Sequence, residues 1–126
     1  MSKPVRPRRS VLYMPGSNAR ALDKARTLPA DGYILDLEDA VAPDSKEIAR
    51  QQVCDAVKAG GFGQREIIIR VNALSTKWGF DDIAAASKSG ADALLRPTVE
   101  SADAIRHMAA NMRSNGADVQ TTISSI

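Results

Sequence analysis

A chain of 126 residues, 44% hydrophobic and 25% charged, has the length and balance of one globular domain around a single core. A formal charge of +2 is too small to argue for nucleic acid, and no apolar run approaches the ~20 residues of a membrane span. Cys54 is alone, which excludes an intrachain disulfide framework and a cysteine-rich metal site. Aromatics at 4% leave Ala, Ile, Leu and Val to build a core suited to helices on a parallel sheet.

The basic run Lys3 to Arg9 precedes any periodic segment and reads as a solvated arm, so residues 1–8 are expected to be a flexible tail and 9–126 the domain. This start lacks the apolar run of a secretory signal, and the expected location is cytoplasmic. "SVLYMPG" is a short strand ended by Pro15 and Gly16, with Ser17 or Asn18 placed to cap a helix through Ala19, Leu22, Ala25 and Leu28. "DGYILDL" is a second apolar strand. Beyond it Asp44 and Ser45, both good caps, precede a helix from Lys46 to Lys58 with Ala49, Val53, Ala56 and Val57 on one face, closed by Gly60 and Gly61. Cys54 rides on this helix without a basic cluster near it in sequence, as a packing thiol would.

"REIIIRVN" has the β-branched run of a fully buried strand, and "FDDIAAASKSG" follows with Phe80, Ile83, Ala84 and Ser87 at helical spacing before Gly90. "ADALLRP" is a fourth strand. "SADAIRHMAANMRSNG" is a helix striped by Ile105, Met108, Ala109 and Met112, and "ADVQTTISSI" begins a fifth strand. Strand-helix units in succession leave two architectures, a doubly wound sheet or part of a (β/α)8 barrel, and both place function at the carboxyl ends of the strands. There the chemistry-bearing residues collect: Asp36, Glu38 and Asp39 after the second strand, Arg70 and Asn72 after the third, Glu100 past the fourth. The glycines do not form a nucleotide cradle, since "PGSNAR" lacks Gly-x-Gly-x-x-Gly spacing and "GGFGQR" precedes a strand. Each of these residues has a plainer role open to it. Arg70 can be a structural ion-pair partner, Asp36 can orient Arg70 or cap backbone groups, Glu100 can be a first-turn acid, and Asp44 a helix cap. Trp78 packs the start of a helix, and His107 falls off its apolar stripe as a surface histidine does.

The segments "R-S-x-L-x-x-P-G" from Arg9, "D-L-E-D-A-V" from Asp36, "R-V-N" from Arg70 and "P-x-V-E-S" from Pro97 occur in an order that resembles the amino-terminal half of the HpcH/HpaI aldolase and citrate lyase beta-subunit family. The resemblance is to its malyl-CoA or citramalyl-CoA lyase-like branch and extends from Arg9 over nearly the whole chain. It implies a (β/α)8 barrel, of which these residues are the first four strand-helix units plus a fifth strand. The implied chemistry is Mg2+-dependent making or breaking of a carbon-carbon bond between an acyl-CoA and a 2-oxo acid or glyoxylate. Glu100 matches the family's metal ligand, and the resemblance implies that it also touches substrate. Arg70 matches a catalytic, substrate-binding arginine, and Glu38 and Asp39 match an acidic pair near the metal that works through water or by orienting other groups.

The chain departs from the family pattern at Arg96 and Thr98, where members carry an apolar residue and a lysine. A whole barrel of this kind has about 250 residues, and the resemblance puts a second carboxylate ligand and a catalytic acid beyond Ile126. With first and fifth strands as open edges, association into a homo-oligomer is expected. Two further functions stay open on the residues: a non-catalytic remnant or association module, and a class II aldolase acting on free 2-oxo acids without CoA.

Overall fold

The computed structural model describes residues 11–63, 65–73, 75–96, 106, 110, 113–114 and 122–125, with Arg96 and residues 122–125 described by backbone alone. In chain order the elements are β1 (Val11–Pro15), α1 (Ala19–Ala25), β2 (Gly32–Asp36), α2 (Lys46–Ala59), β3 (Glu66–Arg70), α3 (Gly79–Ser89), β4 (Ala93–Arg96) and β5 (Thr122–Ser125). All five strands are parallel, and their spatial order is their sequence order. That order runs one way across the sheet, whereas a doubly wound sheet reverses at a switch point.

Period-two alternation decides which face each strand residue occupies. Tyr33, Leu35, Ile67, Ile69 and Leu94 meet Leu22 and Ala25 of α1, Ala49, Val53 and Ala56 of α2, and Ile83 and Ala86 of α3 in one core. The opposite face carries Tyr13, Ile34, Ile68 and Ala93 in one cross-strand row, with Pro15, Asp36, Arg70 and Leu95 in the next row toward the carboxyl edge. β3 is therefore not buried throughout. Ile67 and Ile69 are buried but Ile68 is half-buried, because α1, α2 and α3 pack on the other face. Tyr13, on the edge strand, is 52% exposed.

Local chemistry sets the connections. Asn18 caps α1, its side chain accepting from Ala21 N at 3.0 Å. Gly16 lets β1 pass against β2, since a Cβ there would lie 2.7 Å from Asp36 O and 2.8 Å from Val53 Cγ2. Gly60, at φ 72°, ends α2. The Arg26 side chain covers that end, with Nε 2.7 Å from Gly60 O and Nη2 3.0 Å from Ala56 O.

Two expectations are corrected. Ser45 takes the N-cap position of α2 without a side-chain cap bond, and Asp44 is exposed in a 3-10 turn, Pro43–Ser45, which Pro43 begins. On α3 the buried residues are Gly79, Asp82, Ile83, Ala86, Ser87 and Ser89, so Ile83 and Ser87 point inward as expected while Phe80 (55% exposed) lies off that face. The inward place goes to Asp82, which holds Asn72 and Arg50. The expected stripe Ile105, Met108, Ala109 and Met112 lies outside the described residues, as does His107; Arg106, Ala110, Arg113 and Ser114 are helical. No helix among the described residues is long and apolar enough to cross a membrane.

Candidate functional site

β2 ends at Asp36 and β3 at Arg70, and the parallel register sets these two residues directly opposite each other. Arg70 Nε donates to Asp36 Oδ1 at 2.8 Å and Nη2 donates to Oδ2 at 2.7 Å, the paired geometry in which a guanidinium fork grips a carboxylate. Arg70 also lies 5.4 Å over the Tyr13 ring. The same carboxylate accepts from Glu38 N and Ala40 N, each at 2.8 Å, which turns the chain as it leaves β2. Asp36 is 1% exposed. Burial alone would raise its pKa, but the Arg70 hydrogen bonds, the two backbone N–H groups and the Arg70 charge together hold it below the ordinary aspartate value. Arg70 is pushed the other way by the same bond to Asp36, so its charge is fixed.

The turn brings Glu38 back beside the arginine, Oε1 standing 3.9 Å from Nη1. Asp36 has taken Nε and Nη2, so Nη1 is the arm of Arg70 turned toward Glu38. The Glu38 side chain is 28% exposed, and Asp39, the next residue, is exposed.

A second network lies behind this rim. Leu37 N donates to Arg70 O at 2.9 Å, and Leu37 O accepts from Asn72 Nδ2 at 2.9 Å and from Lys46 Nζ at 3.2 Å. Lys46 Nζ also donates to Glu38 O at 2.7 Å and sits 5.1 Å from the Trp78 ring centroid. Asn72 donates from Nδ2 and from its backbone N to Asp82 Oδ2, while Arg50 Nε donates to Asp82 Oδ1 at 2.8 Å. Asp82, fully buried, thus ties α3 to α2 and to the strand end.

Of the sequence candidates, the structure brings Arg70, Glu38 and Asp36 together, and Asp36 does both things expected of it, orienting Arg70 and capping backbone groups. Asp39 stands beside them in the chain, exposed. Glu100 lies outside the described residues. In the sequence Lys46 and Asp82 show only as a lysine and an aspartate in the first turns of helices that begin at the functional edge.

Mg2+ takes oxygen ligands, keeps several waters, and is held by one or two protein carboxylates. Among the described residues no three acidic, histidine or cysteine groups converge as a metal site. Asp36 is consumed by four hydrogen bonds, so Glu38 and Asp39 are the carboxylates this rim offers toward the water shell of a cation. By themselves they are not a binding site.

A parallel α/β sheet with a fixed arginine-carboxylate pair at its carboxyl edge is the frame on which α/β enzymes assemble their sites. The particular lineage follows from comparison: the HpcH/HpaI aldolase/citrate lyase family model matches residues 9–126, and the chain belongs to that family. It is 48% identical to a (3S)-malyl-CoA thioesterase of Cereibacter sphaeroides over 86% of this chain and 38% of that protein. It is 40% identical to the citrate lyase subunit beta of Escherichia coli over 77% of this chain and 32% of the relative. The chain thus spans under half the length of the relatives it matches. The citrate lyase beta subunit of Mycobacterium tuberculosis, solved with oxaloacetate and magnesium, superposes with TM-score 0.68 at 26% identity, covering 93% of this chain and 48% of that one. The malate synthase of Haloferax volcanii shares the fold at TM-score 0.75 and 18% identity, covering 91% of this chain.

Proposed function

We propose that this chain carries the amino-terminal part of a Mg2+-dependent carbon-carbon lyase that cleaves a 3-hydroxyacyl-CoA into an acyl-CoA and a 2-oxo acid or glyoxylate. The observation that carries the reading is the Asp36–Arg70 pair on the uncovered face of the sheet, with Nη1 facing Glu38. The unreversed strand order, together with the family, supports reading the sheet as the first five strands of a (β/α)8 barrel, so that this face lines the interior.

In such a cleavage a base takes the 3-hydroxyl proton, the C2–C3 bond breaks, the oxo acid leaves with its new carbonyl, and the bond electrons pass to the thioester as an enolate that then takes up a proton at C2 to give the acyl-CoA. A cationic donor fixed beforehand at that oxygen stabilises it without reorganising during reaction. Arg70 fits the task, because Asp36 holds its plane and its charge. Glu38 and Asp39 act on solvent and on orientation at the same rim, and Glu100 is the proposed metal ligand. A bound divalent cation would supply Lewis-acid chemistry to the oxo or hydroxy acid fragment.

A second reading has its own observation: the 48% identical relative is a malyl-CoA thioesterase. Incubation of the full chain with malyl-CoA and Mg2+ separates the two by product. Acetyl-CoA with glyoxylate means carbon-carbon cleavage; free CoA with malate means thioester hydrolysis. Calorimetric titration of Mg2+ in the presence of oxaloacetate is expected to show binding that Glu100→Ala loses, and Arg70→Ala is expected to abolish turnover. Full turnover by Arg70→Ala overturns its assignment, and a folded chain with neither binding nor product overturns the reading.

A further inference from the structure

Among the described side chains Lys46 is the one buried lysine or arginine. It is 7% exposed, its ammonium donates to two backbone carbonyls, Leu37 O and Glu38 O, and it lies 5.1 Å from the Trp78 ring centroid. Among the described residues no carboxylate pairs with it. Burying an ammonium is costly unless its donors are satisfied, and carbonyl dipoles with a ring face compensate less than an opposite charge. An apolar side chain at this first position of α2 would pack the helix without that cost.

What the ammonium adds is on the loop. Its two acceptors belong to Leu37 and Glu38, the residues that follow β2. The amide side of this loop is held by Asp36 and Arg70 O, through Glu38 N, Ala40 N and Leu37 N. The carbonyl side is held by Lys46, with Asn72 assisting at Leu37 O. The backbone that carries Glu38 is thus clamped from both edges, and one clamp is a buried charge reaching forward from α2.

The geometry points to Lys46 as a positioning residue: it fixes the loop that presents Glu38 beside Arg70, and so sets the competence of this rim without touching substrate. This inference rests on the proposed function for its catalytic consequence, though not for its structural one. Trp78 is the sole tryptophan, with Lys46 Nζ 5.1 Å and Lys77 Nζ 5.2 Å from its ring centroid, so a change in its emission on substitution of Lys46 alone reports loss of that contact.

The test is amide hydrogen exchange on the full chain as Lys46→Met, Lys46→Gln and Lys46→Arg, with Trp78 emission and malyl-CoA turnover in parallel. In Lys46→Met the amides of Glu38 and Ala40 are expected to exchange at least tenfold faster, those of Leu35, Ile69 and Val53 are expected to stay unchanged, and Trp78 emission is expected to shift. The turnover number is expected to fall at least tenfold with KM moving less than threefold, and Lys46→Arg is expected to restore both. Unchanged exchange at Glu38 and Ala40 overturns the inference, and so does equal acceleration at Val53, which would make Lys46 a helix-packing residue. Localised exchange with full turnover also overturns it. If Lys46→Met does not fold, Lys46→Gln, which keeps a neutral, shorter NH2 donor group, carries the comparison, with at least threefold faster exchange at the same two amides expected and none refuting. If the unaltered chain turns over neither to acetyl-CoA nor to free CoA, the proposed function fails, while the exchange pattern still decides whether Lys46 holds the loop.

Discussion

Asp36→Asn isolates what the rim pair contributes. The carboxylate accepts four hydrogen bonds, two from Arg70 and one each from Glu38 N and Ala40 N. An amide keeps one acceptor oxygen and turns two N–H donors toward groups that are themselves donors. Arg70, whose side chain is 13% exposed, loses its two-point counter-charge and keeps Glu38 at 3.9 Å, and at least one loop N–H is left without an acceptor. Breaking a buried ion pair costs about 3–5 kcal/mol, and a stranded amide adds about 1–3 kcal/mol. Water reaching the partly exposed guanidinium offsets part of both, giving a net loss of about 3 kcal/mol. With a urea dependence of about 2 kcal/mol/M, the unfolding midpoint should fall by about 1.5 M. The double change Asp36→Leu with Arg70→Met is expected to regain about half of that, because removing both charges is close to neutral while the N–H groups of Glu38 and Ala40 stay uncovered. A single-variant loss below about 1 kcal/mol, the scale of an exposed ion pair, would refute the reasoning.

Gly16→Ala is expected to destabilise the chain by about 2 kcal/mol, read from the same urea midpoint, because its Cβ would meet Asp36 O and Val53 Cγ2 at less than 3 Å and neither the strand end nor the core can retreat. An unchanged midpoint would mean that β1 shifts freely on β2. Stability should also fall in acid through Asp36. Its folded pKa is below the unfolded value of about 4, so unfolding takes up a proton in that range. The contribution is complete above about pH 4 and is lost as pH drops through the lower folded value. Urea midpoints taken between pH 5.5 and pH 3 should fall more steeply for the unaltered chain than for Asp36→Asn; equal slopes would mean that another carboxylate dominates.

Much of the fold is legible because its signals are local. The apolar runs of β2, β3 and β4, the Asn18 cap and the closing Gly60 act within a few residues of themselves, and the structure has each where the sequence puts it. Ile68 and Ile69 look alike in sequence, and only the sheet decides that Ile69 faces α1, α2 and α3 while Ile68 faces the other way. The site is harder to read because its partners are distant. Arg70 finds Asp36 across 34 positions through strand register, and Asp82 finds Arg50 across 32 through the packing of α2 on α3. From sequence alone Asp82 is a first-turn acid and Lys46 a helix residue. Both descriptions hold, yet neither says which backbone each one grips.

The acids gathered after β2 read as one cluster, but the fold divides them. Asp36 is scaffold, saturated by Arg70 and the turn; Glu38 is returned to the arginine; Asp39 and Asp44 are exposed. The rim itself, counted as Asp36, Glu38 and Asp39 against Arg70, carries a formal charge of −2 among the described residues. Lys46, spent on two carbonyls behind the loop, brings this only to −1. A 2-oxo acid is itself an anion, so approach to this rim is repulsive until further positive charge arrives, and one arginine already committed to Asp36 cannot reverse that sign. A divalent cation bound at this edge would reverse it. On this electrostatic ground, oxaloacetate alone should give no heat of binding to the full chain, and heat should appear only when Mg2+ is present; binding of equal strength without the cation would place the anion away from Arg70.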